Sequence, residues 1–550
     1  MVSGSERSLA SIETARAALE ACDWSAAAAA ARQSLDAGES AEGHELLGLA
    51  SWWLSDIDVL FQSRERAYRL YVDAGEVRRA ARIAAWLDWD CRAFRGEAAV
   101  ANGWLRRARR LLDGHHDCAE YGWLLLREAD AMLSRNAPDA AAGAAEAAAL
   151  GRRHHDADLE FVALSLEGLA RVASGSVSEG MQQLDEATAA VVAGEFADRS
   201  AAGVTCCHLI AACEMVRDTD RAGQWCYRVR EYCRQWNHPP LYAVCRTQYA
   251  GVLISSGNWD AAESEIASSI DELRAMRPGW ISLGLLQLGD LRRRQGRIDE
   301  ATEIFEQLPT APMAWLGLAA IALERGALAD AERLARRFLR QVPRGNHTQR
   351  ASALELIVLA VAASGKPDSA TSAHDELLLL ADGVESNALR ASARLATAAL
   401  LSARGGSVEA RNSLEEAASL FERAGAPYDS LRARLMLAEL LHGVGAIDAA
   451  SAESAAVASQ AKLLGAHSLE ARASVLQRSV RATPGAPTSL TARERQVLTH
   501  IARGQTNRQI AVRLGVSQHT VHRHVANIFT KLGLSSRAAA VAFAIRNELS

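Results

Sequence analysis

Apolar positions along most of this chain recur at three- and four-residue steps, with charged residues between them. From about Ser8 to Ser479 the pattern is rich in Ala, Leu, Glu and Arg and poor in Pro. It contains almost no alternating, strand-like run, so it predicts helix after helix. Short turns punctuate it, each with a small or polar opener followed by an Ala-led helix start. They stand at Gly257-Asn-Trp-Asp-Ala-Ala, Gly296-Arg-Ile-Asp-Glu-Ala, Gly326-Ala-Leu-Ala-Asp-Ala, Gly365-Lys-Pro-Asp-Ser-Ala and Gly445-Ala-Ile-Asp-Ala-Ala. Weaker copies begin at Asn136, Gly175, Asp218 and Gly406, with earlier candidates at Cys22 and Gly96. Successive openers are mostly about 39 to 43 residues apart, with one short step from Gly296 to Gly326. A period in that range predicts a solenoid of helical hairpins, each burying its apolar face only against its neighbours.

The pattern changes after residue 480. Residues 481–489 hold two prolines and a glycine and read as a flexible linker. From Leu490 to Ser550, end signals mark four short helices. Thr491 with Glu494 and Thr506 with Gln509 are capping boxes. Ser517 stands at the cap of a third helix, and Ser535 or Ser536 at the start of a fourth. Gly504 and Gly533 fall just past helix ends, and Gly515 lies in the tight turn between helices two and three. Two short helices joined by such a turn are a helix-turn-helix.

The third helix, about Gln518 to Leu532, has two faces. Val521, Val525, Ile528 and Leu532 form one apolar stripe, expected to pack on Val497, Leu498, Ile501, Ile510 and Leu514. His519, His522, Arg523, Ala526 and Thr530 form the other, with no carboxylate among them. A helix that reads a major groove needs cationic and hydrogen-bonding groups near its start. Nine basic and two acidic residues lie from Leu490 onward, a balance of +7. The remainder, with 52 basic and 64 acidic residues, stands at −12. Positive charge is therefore concentrated in the segment with a groove-reading pattern.

This segment resembles the C-terminal DNA-binding domain of LuxR-type transcriptional regulators. The matching residues are Leu490-Thr491-x-Arg493-Glu494, Val497-Leu498, Ile501-Ala502-x-Gly504, Thr506-Asn507-x-x-Ile510-Ala511, Leu514, Ser517, Thr520-Val521, His524-Val525, Ile528-Phe529-x-Lys531-Leu532-Gly533, Arg537 and Ala539-Ala540. Region four of a sigma factor is the nearest rival; the run from Ile528 to Gly533 followed by a fourth helix favours the LuxR type. The resemblance implies double-stranded DNA as a partner, RNA polymerase as a further one, and a homodimer through the fourth helix. His519, His522 and Arg523 should face base edges. Thr506, Arg508, Ser517 and Lys531 should meet phosphates. The family often has Lys where this chain has His522, so base preference does not carry over.

The repeat region is similar to tetratricopeptide-like repeats in large LuxR-type regulators. The expected fold is therefore all-α: a tetratricopeptide-like helical-hairpin solenoid over residues 1–480, then a four-helix LuxR-type helix-turn-helix domain over 490–550. Such a solenoid presents a concave surface to a small-molecule or protein effector. Trp52, Trp53, Trp86, Trp89, Trp104, Trp123, Trp225, Trp236 and Trp259 all precede the middle of the chain. They read first as hairpin core, second as the lining of a binding groove, with the loop Trp236-Asn-His-Pro-Pro-Leu-Tyr242 at its edge.

Six of nine cysteines lie between Cys206 and Cys245. Cys206 and Cys213, like Cys226 and Cys233, are seven residues apart, roughly 10 Å of helical rise, too far to share one zinc. Buried cysteines at a helix interface are the plainer reading, with a thiol sensor at Cys206-Cys207 as the sharper one. The polar, acid-bearing N-terminus is no signal peptide and the Ala-rich runs are too short to span a membrane. Those features point to the cytoplasm, where stable disulfides are not expected. Gly365-Lys366 lacks the preceding glycine of a phosphate loop, and no receiver-like strand–helix alternation occurs, so neither enzyme nor cofactor is expected. The paired histidines, His115-His116 and His154-His155, read as solvated rather than as metal ligands. The rival function is a protein-interaction scaffold whose DNA binding is incidental or lost.

Overall fold

The structure, a computed structural model, describes residues 4–216, 218–236, 239–276, 280–384, 386–482, 490–532, 534 and 537–546. Among these, every regular element is helical. Helices α1 (Gly4–Glu20) to α25 (His467–Ala482) form the repeat region, and four more follow: α26 (Ala492–Ala502), α27 (Asn507–Leu514), α28 (Gln518–Leu532) and α29 (Arg537–Arg546). The chain divides into two compact units, Met1–Ser430 and Leu431–Ser550.

Helices end where the turn motifs place them. Gly257, Gly296, Gly326, Gly365 and Gly445 have φ of 82°, 84°, 75°, 75° and 78°. Only glycine enters this left-handed region without a Cβ penalty. Where a polar residue opens the turn, it caps instead. Asn136 accepts from the backbone N–H of Asp139, and Asp218 from that of Arg221 at 3.1 Å. At the weaker copy the left-handed residue is Gly405, and Gly406 is the N-cap one place later. The short step has a simple cause. α16 (Ile298–Glu306), α17 (Pro312–Glu324) and α18 (Leu328–Leu339) have only 9, 13 and 12 residues.

Consecutive helices pack as hairpins, and alternate helices pack side by side, as α9 (Ala157–Ser174) does with α11 (Arg199–Val216). The expectation of purely nearest-neighbour packing needs correction. α19 (His347–Ala363) also packs against α9 and α11, far from it in sequence. Its run Ala353–Ala362 is buried residue by residue. Such a helix, apolar on every side, must be covered on every side, and neighbouring hairpins alone leave one side open. Buried charge supplies a second long-range tie. Asp290 pairs with Arg293 and Arg294 at 2.6 and 2.8 Å, and Arg294 reaches Asp429 at 3.4 Å. Burial pushes the Asp290 carboxyl up, but the two guanidinium groups outweigh it and hold it well below the usual carboxylate range.

Trp52, Trp53, Trp123 and Trp259 are buried hairpin core. Trp86 and Trp89 are half-buried and, with Trp52, Trp123 and Arg127, surround a cavity of about 10 Å³. That holds about one water and no effector-sized molecule. The Trp236–Tyr242 loop lies outside the described residues, save for the helical backbone of Trp236 and of residues 239–242.

The cysteine reading also changes. Cys206, Cys213 and Cys226 are buried, but Cys207 and Cys245 are joined as a disulfide, with Cα atoms 5.0 Å apart. They belong to α11 and α13 (Pro239–Ser255), neighbouring helices of successive hairpins. Spacing along one helix reveals no contact across two. Among the described residues no cluster of three His, Cys, Asp or Glu side chains could hold a metal ion.

Candidate nucleic-acid interface

The last four helices build one small core. Val497, Leu498 and Ile501 from α26, Ile510 and Ala511 from α27, Val521, Val525 and Ile528 from α28 and Ala540 and Ala544 from α29 are buried together. Leu514 and Leu532 pack at its edge. Both capping boxes form: Thr491 with Glu494 before α26, and Thr506 with Gln509 before α27. Gly515 closes α27 at φ 63°. Ser517 Oγ then accepts from the Thr520 N–H at 3.0 Å and starts α28. These contacts fix the angle between α27 and α28, and so the direction in which α28 presents its outer face. Gly533, Ser535 and Ser536 lie outside the described residues.

That outer face is open. His522, Arg523, Ala526 and Asn527 are exposed, while Val521 and Val525 between them are buried. His519 lies one turn earlier on the same helix; its side chain is outside the described set. Thr506 and Ser517 are exposed at the starts of α27 and α28, and Arg508 is exposed in the first turn of α27. Beside Arg508, a shallow groove of about 330 Å³ is lined by Gln505, Gln509, Val512 and Arg513. Exposed helix starts with nearby guanidinium groups suit phosphate oxygens.

Not all the positive charge is outward. Lys531 Nζ sits 3.0 Å from Glu494 Oε2, whose side chain is only 4 % exposed, and 3.8 Å from Asp448. Burial pushes the Glu494 carboxyl up, but the Thr491 N–H and the Lys531 ammonium hold it below its ordinary value. Arg493 donates to the Leu514 carbonyl at 2.5 Å, closing the end of α27. Arg537 donates to Asn507 Oδ1 at 2.9 Å and to the Gln505 carbonyl, tying α29 to the turn before α27. Counting charge along the sequence could not separate these internal clamps from outward groups. Arg495, Arg503, Arg508, Arg513 and Arg523 are the exposed arginines among the described residues from Leu490 on.

A helix-turn-helix with two capping boxes, a buried inner stripe and a basic outer face matches the family described as bacterial regulatory proteins, luxR family, over residues 488–544. This segment is a LuxR-family domain. This chain is 54% identical over 63 residues to the probable transcriptional regulatory protein SgaR of Hyphomicrobium methylovorum, covering 11% of this chain and 30% of that one. It is 54% identical over 69 residues to the probable transcriptional regulatory protein NarL of Mycobacterium tuberculosis (strain ATCC 25618 / H37Rv), covering 12% and 32%. The chain thus spans about a third of the length of these relatives. Over the repeats, it is similar to a Rap protein solved in complex with competence and sporulation factor: 15% identity, TM-score 0.40, 70% of this chain and 99% of that one. No described helix is long and apolar enough to cross a membrane.

Proposed function

We propose that this chain is a cytoplasmic regulator of transcription that binds specific double-stranded DNA through α28. One observation carries the reading. The face holding His522 and Arg523 is exposed on a helix whose opposite face is the core of the LuxR-type domain. His519, His522 and Arg523 face base edges in this proposal, and Arg523 brings the fork that pairs with guanine. Arg508, with the backbone N–H groups at the helix starts marked by Thr506 and Ser517, meets phosphates. Lys531 would share its charge between phosphate and Glu494. The finer parts of the proposal are an effector or partner bound by the helical repeats, a linker that begins after α25, its residues 483–489 lying outside the described residues, a homodimer through α29 and contact with RNA polymerase.

The test is binding of the full-length protein to pooled genomic DNA across a salt series, beside an Arg523→Ala variant. Selective binding that falls steeply with salt, and loses sequence preference in the variant, supports the reading. Absence of any selected sequence favours the scaffold.

A further inference from the structure

We infer that Cys207 and Cys245 form a reversible thiol–disulfide switch that clamps α11 to α13 within the repeat region. Their Cα atoms are 5.0 Å apart, inside the range a disulfide spans. The interface does not need the bond to exist. Cys206, Ile210, Ala243 and Val244 are buried with them in one apolar cluster, whose packing involves no covalent link beyond this one. Reduction therefore loosens the interface without dissolving it, which a switch requires and a sole staple would not allow. The two cysteines are 38 residues apart, and the loop they close contains all of α12 (Thr219–Trp236). Making the bond restricts that whole helix.

The switch also adjoins the tryptophan cage. Val204, one turn before Cys207 on the same face of α11, lines the cavity bounded by Trp86, Trp89 and Trp123. Arg127 lies over the Trp89 ring at 4.4 Å and over the Trp86 ring at 5.9 Å. A shift of α11 on oxidation would be felt there.

The chemistry balances as two exchanges with a low-molecular-weight disulfide. The Cys207 thiolate attacks one sulfur of the small disulfide and expels one small thiolate. The Cys245 thiolate then attacks the Cys207 sulfur of the mixed disulfide and expels the second. Two protein thiols lose two protons and two electrons; the small disulfide gains both and leaves as two thiols.

The experiment equilibrates the full-length protein with glutathione mixtures from fully reduced to fully oxidised. It is then quenched in acid, unfolded, alkylated and weighed intact. The expected result is one transition in which two of the nine cysteines escape alkylation, reversed by dithiothreitol. Cys207→Ser and Cys245→Ser should each abolish it and Cys206→Ser should not, with Cys207→Ala as the substitute if serine unfolds this apolar site. Amide exchange across residues 208–244 should slow several-fold on oxidation. The inference is overturned if all nine cysteines are alkylated at every ratio, or if the pair stays protected under full reduction. It is equally overturned if protection survives in Cys245→Ser.

Discussion

The side-chain carbonyl of Asn346 accepts a hydrogen bond from the backbone N–H of Ala137, 209 residues earlier, at 2.8 Å. Its amide nitrogen donates to the Leu133 carbonyl at 3.0 Å. Asn346 is fully buried, and it satisfies backbone groups at the turn between α7 (Ala119–Leu133) and α8 (Ala137–His154). The Ala137 N–H is buried and has no water as an alternative, and the Leu133 carbonyl is half-buried. Asn346→Ala strands both and should cost about 2–3 kcal/mol. Asn346→Asp can still accept from Ala137 but cannot donate to Leu133. Thermal unfolding should rank wild type above Asp or Ala, and a variant indistinguishable from wild type would remove this tie from the account of the fold.

Two glycines set how closely α9 and α10 (Val177–Ala193) cross. A Cβ on Gly180 would lie 2.5 Å from the Gly168 carbonyl oxygen, and one on Gly168 would lie 2.7 Å from that of Gly180. Both obstacles are backbone, so the helices must part. Gly180→Ala should destabilise by about 1–3 kcal/mol, against the ~1 kcal/mol that Ala gains over Gly in a helix. Gly103, exposed within α6 (Ala98–Leu111), meets nothing within 4 Å. Gly103→Ala should therefore raise the melting temperature. The opposite signs of the two substitutions are the measurement.

Glu214 makes stability depend on pH in an unusual direction. Burial pushes its carboxyl up to about 7 from an ordinary 4.5, against the Gln287 hydrogen bond that favours the charged form. The folded chain keeps a proton that the unfolded chain releases. This stabilisation is complete below about pH 4.5 and is lost as pH rises through about 7. Asp158, pushed up to about 6 by burial and Asp198, acts in the same sense. Asp290, held below its ordinary value, acts oppositely and only in acid. Melting curves from pH 5 to 7 should show a smaller fall in Glu214→Gln than in wild type. Equal slopes would mean that Glu214 titrates as it does in water.

Lys531 and Arg523 both add charge to the LuxR-type domain, yet their loss should read out differently. Lys531→Ala leaves Glu494 buried without its ammonium partner and should destabilise this domain by about 2–3 kcal/mol. Arg523→Ala touches no core residue, should leave melting unchanged, and should cost about 1–3 kcal/mol at a single base position. Circular dichroism melts set against binding titrations separate the two. If Lys531→Ala melts like wild type and only weakens binding uniformly, it is a phosphate contact instead.

Local order was legible in the chain of residues. Helix starts and stops depend on short-range chemistry: a left-handed glycine, a capping side chain, a capping box. For that reason Gly257, Gly296, Thr491, Thr506 and Gly515 could be placed from their neighbours alone. The two faces of α28 followed from helical periodicity, because three consecutive turns suffice to separate Val521, Val525 and Ile528 from His522 and Arg523. Tertiary structure decided the rest. It set α19 against α9 and α11, brought Cys207 to Cys245, and turned Lys531, Arg493 and Arg537 inward as clamps while Arg508 and Arg523 stayed outside. Those outcomes depend on which distant surfaces meet when apolar helices bury their remaining sides. Spacing along the chain encodes one helix at a time and carries no record of that meeting.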